Sequence, residues 1–269
     1  MKATPIVIKL GGEVITSPEV LVVAADVAKL GSAVIVHGGG AYATALQRKL
    51  GQEPTIVGGR RVTDSHTLDV MKMVVAGKMN VDLCSALIAA GANPVGLHGA
   101  SSQVIRAHKR PPRMVPGEHA AVDFGYVGDV SGVNESLLSL LLGSGFLPVL
   151  ACIGADSSGQ VYNINADTVA NGVAVALGAR ALVLISDVPA VLRDVNDPRS
   201  RIARMTQQEA KHAMETGIVT KGMVPKLEEA FAAIDAGVGR VLIVGKLAPD
   251  DLRRAVDEPG SVGTELVKN

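Results

Sequence analysis

The chain has little of what marks several protein classes. Among 269 residues there is no tryptophan, with only three tyrosines and three phenylalanines, too few flat rings for a platform that stacks single-stranded nucleic acid. Neither sign of charge is in excess, 26 Lys and Arg standing against 26 Asp and Glu, so no global field draws a polyanion or an anionic membrane. No apolar run approaches the ~20 residues that span a bilayer, and no basic, apolar leader precedes the first strand-like run. The expectation is a cytoplasmic protein with a small-molecule substrate and neither nucleic acid nor membrane as partner. Cys84 and Cys152 are the only cysteines and have no Cys-x-x-Cys partner or histidine cluster beside them. That excludes a disulfide framework and a zinc site, and both read as core thiols of a reducing compartment. A chain of this length buries a sizeable core without such staples.

Three glycine-based chemistries are missing as well. The P-loop pattern G-x-x-x-x-G-K-[ST] is absent, because Gly77-Lys78 is followed by Met79 and Gly245-Lys246 by Leu247. No G-x-G-x-x-G opens a helix after the first or second strand-like run, which argues against dinucleotide binding. The run His37-Gly38-Gly39-Gly40 is similar to the oxyanion loop of some esterases, but no G-x-S-x-G supplies their nucleophile.

What is present is a pair of glycine runs, each directly behind a short apolar run rich in β-branched residues: IVIKLGG at 6–12 and AVIVHGGG at 33–40. Such runs read as buried parallel strands, and the amphipathic stretches after them as helices. At that junction glycine lets the backbone approach an anion, and the unpaired N–H groups of a helix start favour negative charge. Lys9 lies inside the first run. An ammonium in a buried strand is costly unless it is paired or faces a ligand.

Strand-like runs recur at 94–97, 147–151, 181–185 and 240–244, and helix-period stretches at 20–30, 41–50, 67–90, 135–142, 167–177 and 226–236. Gly51, Gly91, Gly143, Gly178 and Gly237 read as C-terminal caps. Alternating strands and helices predict an α/β fold, a three-layer α/β/α sandwich around a central, mainly parallel sheet. Right-handed crossovers then gather the loops after the strands along one sheet edge, where ligands of such sheets bind. The stretch 106–127, rich in Pro, His, Arg and Lys, reads as a hairpin or flap over the site. Its basic cluster, Arg106, His108, Lys109, Arg110 and Arg113, reads as a solvated face. A soft boundary divides a lobe 1–165, carrying the flap and the acyl-amino-acid site, from a lobe 166–269 for ATP.

Six motifs in order then resemble one family: Lys9-Leu10-Gly11-Gly12, His37-Gly38-Gly39-Gly40, Arg60-Arg61-Val62-Thr63, Asn163-Ile164-Asn165-Ala166-Asp167, Ser186-Asp187-Val188-Pro189 and Gly222-Met223-Val224-Pro225-Lys226. Spanning essentially the whole chain, they are similar to the amino acid kinase family, and most like its branch that phosphorylates the γ-carboxylate of N-acetyl-L-glutamate with MgATP in arginine biosynthesis. The resemblance implies that Lys9 and Lys226 flank the transferred phosphoryl group and that Asp167 holds both lysines. Gly11, Gly12, Gly39 and Gly40 would bind phosphoryl oxygens, with Gly39, Gly40, Arg61 and Asn163 gripping the acceptor. Arg60 and Asn165 compete for the last two roles. Ser186, Asp187, Gly222 and Met223 would hold ATP, and Mg²⁺ would be held by phosphate oxygens rather than by a dedicated set of side chains. The resemblance, with the short stretch before the first strand, also implies a homodimer insensitive to arginine, with the helical stretch 67–90 in its interface.

The chemistry fits these residue types on its own terms. A carboxylate acceptor is already ionised near neutral pH and needs no base; what it needs is an offset to the charge of two anions forced together. Two lysines, an aspartate to position them and a ring of N–H donors supply that, and the planar fork of arginine suits a carboxylate. Two other readings compete. A carrier-protein-linked aminoadipate or glutamate would draw on the basic cluster beside the site. A catalytically silent amino-acid-binding module would keep the acidic-ligand grip and lose the lysines.

Overall fold

The computed structural model describes residues 4–186, 188–219 and 223–269. Its first half runs β1 (Ile6–Leu10), α1 (Gly12–Ile15), α2 (Glu19–Lys29), β2 (Ala33–His37), α3 (Gly40–Lys49), a short hairpin β3 (Ile56–Val57) and β4 (Arg60–Arg61), then α4 (Ser65–Met71) and α5 (Asn80–Ala89) joined by a π-helical stretch, Lys72–Met79. There follow β5 (Pro94–Leu97), β6 (Ile105–Lys109), β7 (Gly128–Val133), α6 (Glu135–Gly143), β8 (Leu147–Ala151), β9 (Ile153–Ala155) and β10 (Val161–Asn163). The remainder is α7 (Ala166–Ala176), β11 (Ala181–Ile185), β12 (Arg204–Thr206), α8 (Gln207–Glu215), α9 (Val224–Asp235), β13 (Val241–Val244), α10 (Asp251–Asp257) and β14 (Thr264–Val267).

The central sheet has eight strands in the order β12-β14-β13-β11-β1-β2-β8-β5. Every neighbouring pair is parallel except β13 and β14. In β2, β8, β11 and β13 every residue is buried, as a sheet covered on both faces by helices requires. This is the expected α/β sandwich. β1 lies between β11 and β2, so the strands that follow residue 165 all lie on one side of it and the earlier ones on the other. Lys9 is in register with Leu184 on one neighbour and Val36 on the other.

A second, four-stranded sheet, β10-β9-β6-β7, was not legible as strands. The chain leaves β8 at Ala151, passes through Cys152 into β9, and returns through β10 to α7. That excursion delivers Asn163, Asn165 and Asp167 to the carboxyl end of β1. The 106–127 stretch is an antiparallel hairpin arm: β6 pairs with β7, and Arg113 pairs with Val122 farther out.

Two local expectations are corrected. α6 runs one residue past the expected end, through Gly143, and the left-handed residue that closes it is Gly145, with φ of 78°; the Gly145 N–H donates to Leu142 O at 3.2 Å and the Phe146 N–H to Leu141 O at 3.0 Å, a closure that puts the glycine requirement at 145 rather than 143. The stretch 67–90 is not one regular α-helix. Its π-helical segment contains Gly77, a weak helix former, and widens the turn so that Val74, Val75 and Met79 are buried together. Segments of this kind gather at functional sites.

The same segment hands Asn80 to a buried polar network. Asn80 Nδ2 lies 3.0 Å from the carbonyl oxygen of Val149 and 3.0 Å from His37 Nε2. An amide nitrogen only donates, so Nε2 accepts, and Nδ1 carries the proton it gives to the carbonyl of Gly38 at 3.1 Å. Burial pushes the His37 imidazole down to about 4, which keeps it neutral in this role. The folded value lies below the ordinary 6.5, so the unfolded chain takes the proton first as pH falls. Stability present above 6.5 is therefore lost down to about 4, by about 3 kcal/mol in total. Urea unfolding across that window checks this: the wild type should lose more stability than His37→Gln, and parallel losses would contradict it.

Candidate active site

Three strand ends meet at one edge of the sheet. β1 runs into Gly11 and Gly12, β2 into Gly38 to Gly40, and β11 into Ser186. In front of them is a cavity of about 540 Å³. Lys9, the two glycine runs, Arg60, Arg61, Asn163 and Asn165 line it, joined by Arg110, Arg113, Cys152 and Glu229. A smaller cavity of about 200 Å³ adjoins it and is lined by Asp167, Asn171 and Lys226, with Arg60, Asn165 and Glu229 shared between the two.

Lys9 Nζ lies 3.1 Å from Asp167 Oδ1, and both side chains are largely buried. The approach is that of an ion pair rather than a directed hydrogen bond, for Oδ1 is buried with no hydrogen-bond partner. The aspartate is held at the start of α7, where its backbone N–H is capped by Asn165 Oδ1 at 2.8 Å. Lys226, in the first turn of α9, donates to Ser186 Oγ at 3.2 Å and shares the smaller cavity with Asp167. Met223 packs half-buried against the core at the start of α9. Asp187 and Gly222 lie outside the described residues.

The glycine runs are forced by contact. A Cβ on Gly12 would lie 2.9 Å from Gly39 Cα, and one on Gly39 would lie 2.5 Å from Met79 Sδ and 2.9 Å from Val75 Cγ2. The two loops therefore touch, with the π-helical segment wedged beneath them. At Gly11 and Gly40 a Cβ would meet no crowding, so the space before those backbone groups is open to a ligand. α3 starts at Gly40 with no side-chain cap, which leaves its first N–H groups to an anion.

Arg61, carried on β4, is fixed by three acceptors: Gln47 Oε1 at 2.5 Å from Nη1, and Gly40 O at 2.9 Å and Thr44 Oγ1 at 2.6 Å from Nη2. Burial lowers its pKa. Arg60 is exposed and reaches both cavities. Asn163 donates to Thr63 Oγ1 at 3.2 Å. Asn165 spends its side-chain oxygen on the cap of α7.

Four residues at the site were not assigned there from sequence. Cys152 is no remote core thiol: it lines the main cavity, and burial pushes its thiol up to about 12, too protonated to act as a nucleophile. Arg110 and Arg113 are not part of a solvated face. Arg110 is mostly buried and paired with Asp129 at 2.9 and 2.5 Å, and Arg113 lines the cavity. Glu229 lies one turn beyond Lys226, the only signal it offered. Its carboxyl is raised first by burial and then by the charge of Asp167, against the pull of Lys9 and Arg110.

An ion-paired lysine, a second lysine nearby, two glycine cradles and no poised nucleophile among the described residues define a site that holds and neutralises anions, as a phosphotransferase does. The sequence agrees: residues 4–245 match the model of the amino acid kinase family, and the chain belongs to that family. It is 58% identical over 268 residues to a protein of Sorangium cellulosum (strain So ce56) named acetylglutamate kinase, covering 98% of this chain and 94% of that one. A protein of the same name from Anaeromyxobacter sp. (strain K) is 54% identical over 97% of this chain and 98% of its own. Among solved structures, an N-acetylglutamate synthase from Neisseria gonorrhoeae, complexed with coenzyme A and N-acetyl-glutamate, superposes with a TM-score of 0.83 at 25% identity. All of this chain is covered there, but only 60% of the synthase.

The contact between Gly39 and Met79 makes the cradle testable. Gly39→Ala should cost roughly 1–3 kcal/mol by overpacking and less in a Met79→Ala background. Urea unfolding of the single and double variants measures this, and an equal cost in both backgrounds would mean that Met79 does not crowd the loop.

Proposed function

We propose that the chain transfers the γ-phosphoryl group of ATP to the γ-carboxylate of N-acetyl-L-glutamate, giving N-acetyl-L-glutamyl 5-phosphate in arginine biosynthesis. The observation that carries this reading is Lys9 ion-paired with Asp167 at the mouth of two glycine loops, in a chain whose near-full-length relatives bear the name acetylglutamate kinase.

The acceptor carboxylate attacks unaided, because it is ionised at neutral pH. Lys9 offsets charge on the moving phosphoryl group from the β1 side, and Lys226 from the side of α9. Asp167 keeps Lys9 in place and lines the cavity that Lys226 enters. Backbone N–H groups at Gly12, Gly39 and Gly40 donate to phosphoryl oxygens, and Arg61 and Asn163 orient the acceptor. The second half of the chain, through Ser186 and Met223, takes ATP. No group of three or more His, Cys, Asp or Glu suited to a metal exists among the described residues. Mg²⁺ would be carried in on the phosphate oxygens of ATP and would shield their charge when bound.

Surface charge supports the free acetylated acceptor over a carrier-linked one. On the hairpin arm, Lys109 is paired with Asp123 and Arg110 with Asp129, which leaves less uncompensated charge for an acidic carrier. No helix among the described residues is long and apolar enough to cross a membrane.

A homodimer follows from an unpartnered stripe. Met73, Val81 and Ile88 are 54%, 63% and 64% exposed along the helical stretch that includes α5, a line of apolar side chains about two turns apart that water does not favour. We place a second copy against it. Val81→Asp should convert a dimer to a monomer in sedimentation equilibrium, and a wild-type monomer would remove the proposal.

The activity is checked by offering ATP with N-acetyl-L-glutamate, aspartate, uridine monophosphate, carbamate or carrier-linked aminoadipate and trapping acyl phosphate as hydroxamate. Product is expected from N-acetyl-L-glutamate, and its absence there rejects the reading. Lys9→Ala and Lys226→Ala should each lower kcat by about 100-fold or more, as loss of a charge-stabilising group does. A loss confined to KM would reduce the lysines to binding groups.

A further inference from the structure

We infer that His37 is a positioning residue for phosphoryl transfer: through one hydrogen bond it sets which way the peptide between Gly38 and Gly39 faces, and so presents the Gly39 N–H to the moving group. The inference rests on the phosphoryl transfer proposed above.

The backbone groups of the loop can be accounted for one by one. The Gly38 N–H donates to Leu10 O at 3.1 Å, and Gly39 O accepts from the Ala43 N–H at 3.0 Å. Gly40 O accepts from Arg61 Nη2 at 2.9 Å, and Gly38 O from His37 Nδ1 at 3.1 Å. No acceptor among the described residues takes the Gly39 N–H, and the Gly40 N–H opens α3 without a side-chain cap. Every carbonyl of the loop is thus engaged, and the donors left over are the ones an anion needs. The bond from His37 is the only one on the Gly38–Gly39 peptide among the described residues. With no Cβ on either side, that peptide plane has little preference of its own for one face over the other. Its C=O and N–H point in opposite directions because the bond is trans. Gly38 O is drawn to an imidazole that is fully buried, which turns the Gly39 N–H the other way, toward the main cavity that Gly39 lines. A flipped peptide would instead aim a carbonyl oxygen at the phosphoryl group.

The imidazole can hold that carbonyl only with its proton on Nδ1, and Asn80 imposes this. Val149 O can only accept, which fixes the atom 3.0 Å from it as the amide nitrogen of Asn80. The same nitrogen lies 3.0 Å from His37 Nε2, so Nε2 accepts and the single proton of the neutral ring sits on Nδ1. Asn80, at the start of α5, therefore selects the tautomer that orients the glycine loop, while Met79 beside it sets how closely the loop packs.

The test separates the two ring nitrogens. The amide nitrogen of asparagine falls where Nδ1 is and that of glutamine where Nε2 is, so His37→Asn keeps a donor to Gly38 O and His37→Gln keeps only a partner for Asn80. On the full chain, kcat and the KM values for ATP and N-acetyl-L-glutamate are measured for both variants, with circular dichroism to confirm folding. His37→Gln should lower kcat by about 10- to 100-fold, as misdirection of one donor in an anion cradle does, with both KM values within a few-fold. His37→Asn should keep kcat within a few-fold of wild type. The reverse order overturns the inference and makes the link to Asn80 a structural one. Equal losses in the two variants, no loss in either, or a loss confined to KM also overturn it. Should a variant fail to fold, the imidazole ¹⁵N spectrum of the wild type decides: Nδ1 of His37 should be protonated and Nε2 bare, and a proton on Nε2 overturns the inference. A wild type that makes no acyl phosphate from N-acetyl-L-glutamate overturns the proposed activity as well, whereas an active wild type with the proton on Nε2 overturns only the role given to His37.

Discussion

Everything at this site depends on placing an ammonium near the end of a buried strand. Lys9 sits in a sheet whose neighbouring residues are all apolar, where a charge without a counter-charge is costly. Asp167 prevents that with an ion pair at 3.1 Å, and much of the chain's path serves to bring the aspartate there. β1 is flanked by β11 and β2, and the excursion through the second sheet ends in Asn163 and the Asn165 cap, which start α7 beside Lys9. Asp167 Oδ1, the oxygen that faces Lys9, is buried and holds the ammonium by charge rather than by a directed hydrogen bond. Its charge in turn helps to raise Glu229, so the local field is shared by several groups rather than owned by one.

The anion cradle depends on a second constraint, the packing of backbone on backbone. Gly12 lies against Gly39, and Gly39 lies against Met79 and Val75 of the π-helical segment. Beneath them the neutral His37 and Asn80 tie the end of β2 to Gly38 and to Val149. The floor of the site is thus set by contacts with no margin, while Gly40 faces open space and a Cβ on Gly11 would meet only Ile185 O, at an ordinary 3.8 Å. Rigidity below and room above are what a preorganised phosphoryl site needs.

The central strands were legible because β-branched runs such as 33–37 and 181–185 are buried on both faces and need no partner to be recognised. Lys9 stood out for the same reason, as a charge where none belongs. The short strands β9 and β10, of three residues each, carry too little periodicity to register. The π-helical stretch looks like ordinary helix because its widened turn is imposed by Met79 packing under Gly39, a tertiary contact. Arg110, Arg113 and Glu229 escaped because their role depends on which cavity they reach. A guanidinium on a solvated face and one buried against Asp129 read alike in sequence. Cys152 was a core thiol by composition, and only the crossing from β8 to β9 puts it at the cavity wall.

The central claim is direct transfer between two anions held by cations and backbone donors, with no protein nucleophile between them. The most direct measurement is the stereochemical course at phosphorus, using ATP made chiral at the γ-position with oxygen isotopes and N-acetyl-L-glutamate as acceptor. A single in-line transfer inverts the configuration, and that is the result the account predicts. Net retention would require a phosphorylated side chain as an intermediate and would contradict it.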